Sequence, residues 1–350
     1  MAGPLNGIRI IEIAGLGPGP FAAMMLADHG AEVIRVERPG TPLDVGDPLL
    51  RSRTVVQHDL KSAEGQAAIR ELVRTADGLI EGFRLGVMER LGLGPDALLQ
   101  ENPSLVYGRM TGWGQDGYYA ERAGHDINYI AVSGALHMVG RKDEAPVPPI
   151  NLVGDFGGGG MMLAFGMVSA LLAAKSGAKG QVVDCAMTDG SALLTAMMWG
   201  FRAKGVWQDQ RGSNLLDGAA PFYDTYRTAD GLYMAAGAIE PQFYAAFLKG
   251  LELSDDPLLA NQMDFANWPA QKARIAEAFA TRTRAEWSAI FDTVDACVTP
   301  VLSMQDAAAA AHNQQRQTFI TVDGVQQPAP APRYSGTPCE TPVVPVLKAT

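Results

Sequence analysis

The sequence is poor in cysteine, in surplus positive charge and in long apolar runs, and each shortage removes a class of function. Cys185, Cys297 and Cys339 are the only cysteines in 350 residues. They are too few and too scattered for a disulfide framework or a paired-cysteine metal site, so a reducing compartment is expected. Lysine and arginine number 28 against 38 acidic residues, a formal net charge of -10, whereas a nucleic-acid or anionic-membrane surface needs a positive field. Any anionic ligand must therefore be gripped by a few placed cations. The longest uncharged run, 156–174, has 19 residues, the lower length limit for a membrane span. It opens on Phe and four glycines, which leaves too short an apolar stretch, so a buried core helix is expected. The opening MAGPLNGIRI carries no charged segment followed by an apolar one, and the closing LKAT matches no common address signal. Cytoplasmic placement without membrane insertion is the expectation. Internal repeats and low-complexity blocks are also absent.

What is present describes an ordinary globular chain: 47% hydrophobic residues with a mean hydropathy of +0.01, enough for about two domains. IRIIEI (8–13) reads as a buried strand, 15–19 as a glycine-rich turn, 20–29 as a helix opening on Pro20, and VIRV (33–36) as the next strand. This βαβ opening invites a dinucleotide fingerprint, with Glu37 about 20 residues past the glycines in the place of the ribose acid. The spacing breaks it. Counted from Gly15 and Gly17, the third glycine is Pro20, and Pro18 stiffens the loop besides.

Strands at 54–57, 78–81 and 105–109 continue the alternation, with helices at 63–75 behind a Ser62 cap and at 87–90. The fold class implied is α/β, a doubly wound, Rossmann-like parallel sheet whose ligands gather at strand carboxyl ends. Arg38, Lys61 and Arg84 stand at or just past such ends, and Arg90 a short helix further on. One such cation is ordinary surface; four at equivalent places suggest one shared anionic ligand, with phosphate groups as candidates.

A glycine-punctuated loop, MTGWGQDGYYAERAG, leads to His125, and a helix is expected over 127–138. A proline-rich crossing then delivers Asp155 to four glycines and a helix expected over 161–174. An imidazole and a carboxylate so placed are suited to opposite sides of one substrate carbon, and the Gly157–Gly160 amides are candidates to stabilise that carboxylate or another anionic oxygen. Taken alone, His125 is equally a packed structural imidazole, Asp155 a helix cap and Glu240 the cap of the helix that Pro241 opens. Further on come a strand at 181–187, a helix over 191–204, a hairpin turning at Asp230 and Gly231, helices near 270–280 and 284–293, and a strand at 297–302. The domains expected are 1–187, a large ligand-binding α/β domain; 188–222, a linker helix region; 223–302, a small α+β domain; and 303–350, a return segment on the large domain or a partner. Met161, Met162, Met187, Met197 and Met198 are candidates for an adaptable apolar binding surface, or for core filling.

GIRIIEIAGLGPGPFAAMMLADHGAEVIRVER, HDLK at 58–61, EGFR at 81–84, MERLGLGP, RMTGWGQ, AGHDINY, NLVGDFGGG and GAIEPQF together resemble the α-methylacyl-CoA racemases, within the family III CoA-transferase superfamily. The resemblance spans most of the first 245 residues, in order. It implies CoA contacts at Arg38, at His58, Asp59, Leu60 and Lys61, at Gly82, Phe83 and Arg84, at Arg90, and at Gly124, Asp126, Ile127, Asn128 and Tyr129. It makes His125 and Asp155 the two bases and Glu240 the carboxylate that supports the histidine. It also implies an interlocked homodimer, CoA as part of the thioester substrate, and no metal or redox cofactor. Leu85 and Tyr118 stand where the family usually has proline, which relaxes two loops. The implied activity is interconversion of (2R)- and (2S)-2-methylacyl-CoA by two-base proton transfer through an enolate. The alternative is a family III CoA-transferase working through an aspartyl-CoA intermediate, a class that typically lacks the histidine and carries a GGGGQ loop not found here.

Overall fold

The computed structural model describes residues 3–348. The chain divides into two compact units. The first comprises the chain up to Ala135, Pro148–Ala196 and the chain from Ala311 on; the second comprises Leu136–Val147 and Met197–Ala310.

In the first unit, β1 (Arg9–Ile13), α1 (Pro18–Asp28), β2 (Glu32–Glu37), β3 (Arg53–Gln57), α2 (Ala63–Arg74), β4 (Gly78–Glu81), α3 (Val87–Arg90), α4 (Pro95–Glu101) and β5 (Val106–Thr111) follow in order. After them come α5 (Asp126–Val132), a wide π-helical stretch Leu152–Met161, α6 (Met162–Lys175), β6 (Gln181–Ala186) and α7 (Met187–Leu194). The strands form one seven-stranded sheet in the order β12-β3-β2-β1-β4-β5-β6, in which β12 is Val346–Leu347. Every pairing is parallel, Ile11 standing opposite Ile34 on β2 and Leu79 on β4. Parallel strands need crossovers, and the apolar faces of the helices cover the sheet on both sides. Ala22, Leu26, Leu163 and Met167 pack on one side, and Ile69, Val73 and Leu98 on the other. The strand order reverses between β1 and β4, and a ligand crevice is expected at that point.

Several local expectations shift for identifiable reasons. α1 starts at Pro18, because both prolines fit its first turn and Gly17, with φ 65°, turns the chain into it. α5 is shorter than 127–138, because Gly134, with φ 87°, ends it. The expected 191–204 helix breaks at Thr195, whose hydroxyl bonds back to the Ala192 carbonyl at 2.8 Å. α7 then belongs to the first unit and α8 (Ala196–Ala203) largely to the second, so 188–222 is not a single linker. Likewise 136–147 packs with the second unit and not with the large domain.

The helix running from Leu152 to Lys175 has 24 residues and is long and apolar enough to cross a membrane. Its inner face, with Leu163, Met167, Ala170 and Leu171, lies in the core of the sheet, which is what a core helix does. Glu12 is fully buried in β1, where Arg35 and Arg53 neutralise it.

The second unit contains α8, β7 (Tyr223–Arg227), β8 (Tyr233–Gly237), α9 (Pro241–Gly250), α10 (Trp268–Phe279), α11 (Arg284–Phe291), β9 (Val298–Pro300) and α12 (Met304–Ala309). β7, β8 and β9 form an antiparallel sheet, packed through Phe222, Phe247, Phe279 and Trp287 against its helices. The chain then returns to the first unit through α13 (Ala311–Gln315) and a hairpin of β10 (Phe319–Val322) and β11 (Val325–Pro328). β12 adds to the large sheet beside β3.

Candidate active site

A cleft of about 640 Å³ opens in the first unit at the point where the strand order reverses, lined by the segments that follow β1 and β4, by the end of β5 and by the start of α5. His125 and Asp155 both line it. His125 precedes the first residue of α5, exposed, with its backbone N–H donating to the Asn128 side chain at 3.0 Å. Asp155 does not stand before a helix as a cap; it lies inside the first turn of the π-helical stretch, where the Phe156 N–H reaches back five residues to the Asn151 carbonyl. Such wide turns are rare and recur at functional sites.

Burial pushes the Asp155 carboxyl above its ordinary range; the Asn151 side chain, 3.4 Å from Oδ2, pulls it down, Asp126 pushes it further up and His125 favours its ionised form. The two groups thus share an electrostatic environment in one cleft. The glycines that follow, Gly157–Gly160, lie outside the lining of the cleft. Gly158, Gly159 and Gly160 are buried, and a Cβ on Gly158 would stand 2.6 Å from the Ser191 nitrogen while one on Gly160 would stand 2.6 Å from the Phe21 ring. Their smallness lets α7 and α1 close on the helix that carries Asp155.

An aromatic ladder braces the His125 loop. Trp113 lies 4.9 Å from Tyr119 and 4.8 Å from Tyr129, ring to ring, and the Tyr129 hydroxyl donates to the Gly124 carbonyl. Burial and then the Asp155 charge hold the Tyr129 phenol protonated to higher pH than usual. Side chains at Gly112 or Gly124 would strike the Tyr129 ring, at 2.1 and 2.7 Å. Tyr118, which replaces a proline, does not leave its loop unbraced: Arg122 lies over it at 4.8 Å and over Tyr119 at 5.1 Å.

Of the residues expected to contact CoA, Gly82, Phe83, Arg84, Gly124 and Tyr129 line the cleft, as does Leu85. Arg38, His58, Asp59, Leu60, Lys61, Arg90, Ile127 and Asn128 lie outside the lining, the first five on the segments that follow β2 and β3. Leu60 packs on the core beneath them, and partial burial lowers the His58 pKa. Asp126 is 6% exposed and also outside the lining, its side chain turned into the protein, where Oδ2 accepts the Asp155 N–H at 2.7 Å. Glu240, in the second unit, precedes α9, but its carboxylate caps nothing.

The cations sort into two groups. Arg35, Arg51, Arg53 and Arg109 are buried and paired with carboxylates. Arg38, Lys61, Arg84 and Arg90 are exposed, and among the described residues their side chains have no ion-pair partner. No group of three or more His, Cys, Asp or Glu side chains able to hold a metal ion occurs among the described residues.

Sequence reasoning did not single out Leu16, Glu81, Trp113 or Arg122, all of which line the cleft. Their positions after β1, β4 and β5 were the available signal. Glu81 is not a free acid: it accepts the Phe83 N–H at 2.7 Å and Arg109 Nε at 3.1 Å, which fixes the turn that presents Arg84.

Comparison with known proteins agrees with this architecture. Residues 5–347 match CoA-transferase family III. The chain is 51% identical over 337 residues to the mouse protein named alpha-methylacyl-CoA racemase, covering 95% of this chain and 87% of the relative. It is 50% identical over 335 residues to the human protein of the same name, with the same coverage of 95% and 87%. A CAIB/BAIF family protein from Brucella suis superposes with a TM-score of 0.85 at 26% identity, covering 99% of this chain and 97% of the other.

Proposed function

Because the chain belongs to CoA-transferase family III, and within it aligns at half identity with racemases along nearly its whole length, we infer that it is an α-methylacyl-CoA racemase. It interconverts (2R)- and (2S)-2-methylacyl-CoA thioesters, an isomerisation of fatty-acyl metabolism. The observation that carries the mechanism is a single cleft lined by an imidazole and by a carboxyl that burial keeps protonatable.

The thioester α-proton is weakly acidic, so inversion needs one base to remove it and an acid on the opposite face to return it. We assign these roles to His125 and Asp155. Starting from neutral His125 and protonated Asp155, the imidazole takes the proton and the carboxyl delivers its own; the reverse reaction starts from imidazolium and carboxylate. The pair therefore holds one transferable proton, and a carboxyl with a raised pKa narrows the gap to an imidazole. Glu240 is proposed as the carboxylate that favours the imidazolium. The reaction is redox-neutral and moves only a proton, so its chemistry calls for no metal or redox group, and CoA enters as part of the substrate.

The unpaired cations Arg38, Lys61, Arg84 and Arg90 are proposed to hold the CoA phosphates, with the 58–61, 82–84 and 124–129 segments shaping the rest of the path. We further propose a homodimer of the interlocked kind, working in the cytoplasm. Its support is an apolar stripe on the outer face of α6, where Phe165 is 72% and Leu172 68% exposed, beside the edge strand β6. So continuous a patch on one helix face marks an interaction surface.

The test is to incubate one pure 2-methylacyl-CoA enantiomer in deuterated water with no acceptor acid. The inferred function predicts loss of optical purity with one α-deuterium in the inverted product. An unchanged enantiomer, with CoA moving to an added carboxylate, would assign the transferase chemistry instead.

A further inference from the structure

The two groups assigned to proton transfer have neighbours in sequence that touch each other. His125 is followed by Asp126, and Asp155 is preceded by Gly154. The Asp126 carboxylate is buried, and its Oδ2 accepts the backbone N–H of Asp155 at 2.7 Å. Its Oδ1 is buried with no partner among the described residues. A Cβ on Gly154 would stand 2.4 Å from that Oδ2 and 3.2 Å from the Asp126 Cα, so the glycine is what allows so close an approach.

We propose that Asp126 is a positioning residue for proton transfer: its carboxylate, clamped on the Asp155 backbone, fixes the start of α5, which carries His125, against the wide helix turn that carries Asp155. This rests on the racemase reading and on the roles given there to His125 and Asp155. A carboxylate kept only for stability would have both oxygens satisfied, as Glu12 has from Arg35 and Arg53. Asp126 instead keeps a buried carboxylate whose Oδ1 has no partner among the described residues, and that carboxylate stands beside Asp155. The charge so retained acts on Asp155, which also meets His125 at the start of α5, Tyr129 from α5, Asn151 from its own segment and Gly17 from α1's lead-in. α7, packed on the same segment at Gly158, brings the uncharged Ser191 there. Arg84 faces Tyr129 from the segment after β4. A negative charge beside a carboxyl disfavours its ionisation, so neutralising Asp126 lets Asp155 lose its proton at lower pH.

The test compares kcat, KM and the pH profile of 2-methylacyl-CoA racemisation in the wild type, Asp126→Asn and Asp126→Ala, with folding followed by thermal melting. Asp126→Asn should move the acidic limb of the kcat/KM profile to lower pH while KM at neutral pH stays within about twofold. Asp126→Ala should lower kcat by about 10- to 100-fold through misplacement of Asp155. Wild-type limbs and wild-type kcat in both variants would overturn the positioning role. So would an unfolded Asp126→Asn, because an isosteric change that costs the fold assigns the carboxylate to stability. A wild-type chain that does not racemise overturns the reading beneath, a result distinct from a racemising wild type beside unaltered variants.

Discussion

Arg53 donates from Nε to Oε2 of Glu12 at 2.9 Å. Another nitrogen of the same guanidinium holds the Pro20 carbonyl at 2.8 Å, and the other Glu12 oxygen takes Arg35, which reaches the Gly15 carbonyl at 3.4 Å. Both ends of the glycine-rich wall of the cleft therefore hang from one buried carboxylate. Removing its charge takes the carboxylate from Arg53 and leaves Arg35 with Glu37, and Glu12→Gln should cost about 3–5 kcal/mol of stability in a denaturant titration. A loss below about 1 kcal/mol would mean that the loop does not depend on this network.

The Asp155 carboxyl stands above its ordinary range, chiefly through burial. A group raised in the folded state contributes stability that is complete below its unfolded pKa and is lost as pH rises through its folded pKa. Ionised Asp155 thus burdens the fold at neutral pH. Asp155→Asn should melt above the wild type at about pH 7, and the gain should vanish near about pH 3, where the wild-type carboxyl is protonated in both states. A variant that melts lower at neutral pH contradicts the assignment of strain to this group.

The two classes of cation predict two kinds of defect. Arg84 is exposed and unpaired, so Arg84→Ala should weaken free-CoA binding by about 10- to 100-fold in a calorimetric titration, with the melting temperature unchanged. Arg51 is 4% exposed and pairs with Asp28; Arg51→Ala should lower stability by about 3–5 kcal/mol. Equal CoA affinity in Arg84→Ala and the wild type would remove this cation from the phosphate site.

The α6 stripe makes a separate prediction. Phe165→Glu combined with Leu172→Glu places two charges on an apolar face that is exposed in the single chain. Sedimentation should show the wild type as a dimer and the double variant shifted to monomer, because desolvating an unpaired charge costs several kcal/mol. A dimer that persists in the variant places the interface elsewhere.

The sheet was legible because its strands are short apolar runs punctuated by glycine and proline, and the reversal of strand order then located the cleft. The place of His125 on a glycine-punctuated loop and of Asp155 before four glycines was legible, but not their roles: the residue types alone fit a packed imidazole and a helix cap equally, and only the family resemblance makes them a pair of bases. The wide turn around Asp155 was not, because nothing in LVGDFGGGGM separates a π-helical turn from a glycine-rich lead-in to a helix. Its glycines serve approaching helices, Gly158 facing Ser191 and Gly160 facing Phe21, and those partners are distant in sequence. The inward turn of the Asp126 side chain was not legible either, because it depends on Gly154, 28 positions on. The placement of 136–147 was not legible, because this stretch packs with a unit whose main body begins at Met197.

The central claim is that His125 and Asp155 serve opposite faces of one carbon. The direct measurement is α-proton exchange into deuterated water, followed separately from each pure 2-methylacyl-CoA enantiomer, in His125→Ala and in Asp155→Asn. Both variants should lose inversion by about 10²–10⁴-fold. Each should still exchange the proton of the one enantiomer that faces its surviving base, and the two variants should retain opposite enantiomers. Exchange of both enantiomers, at comparable rates, by either variant would contradict the account.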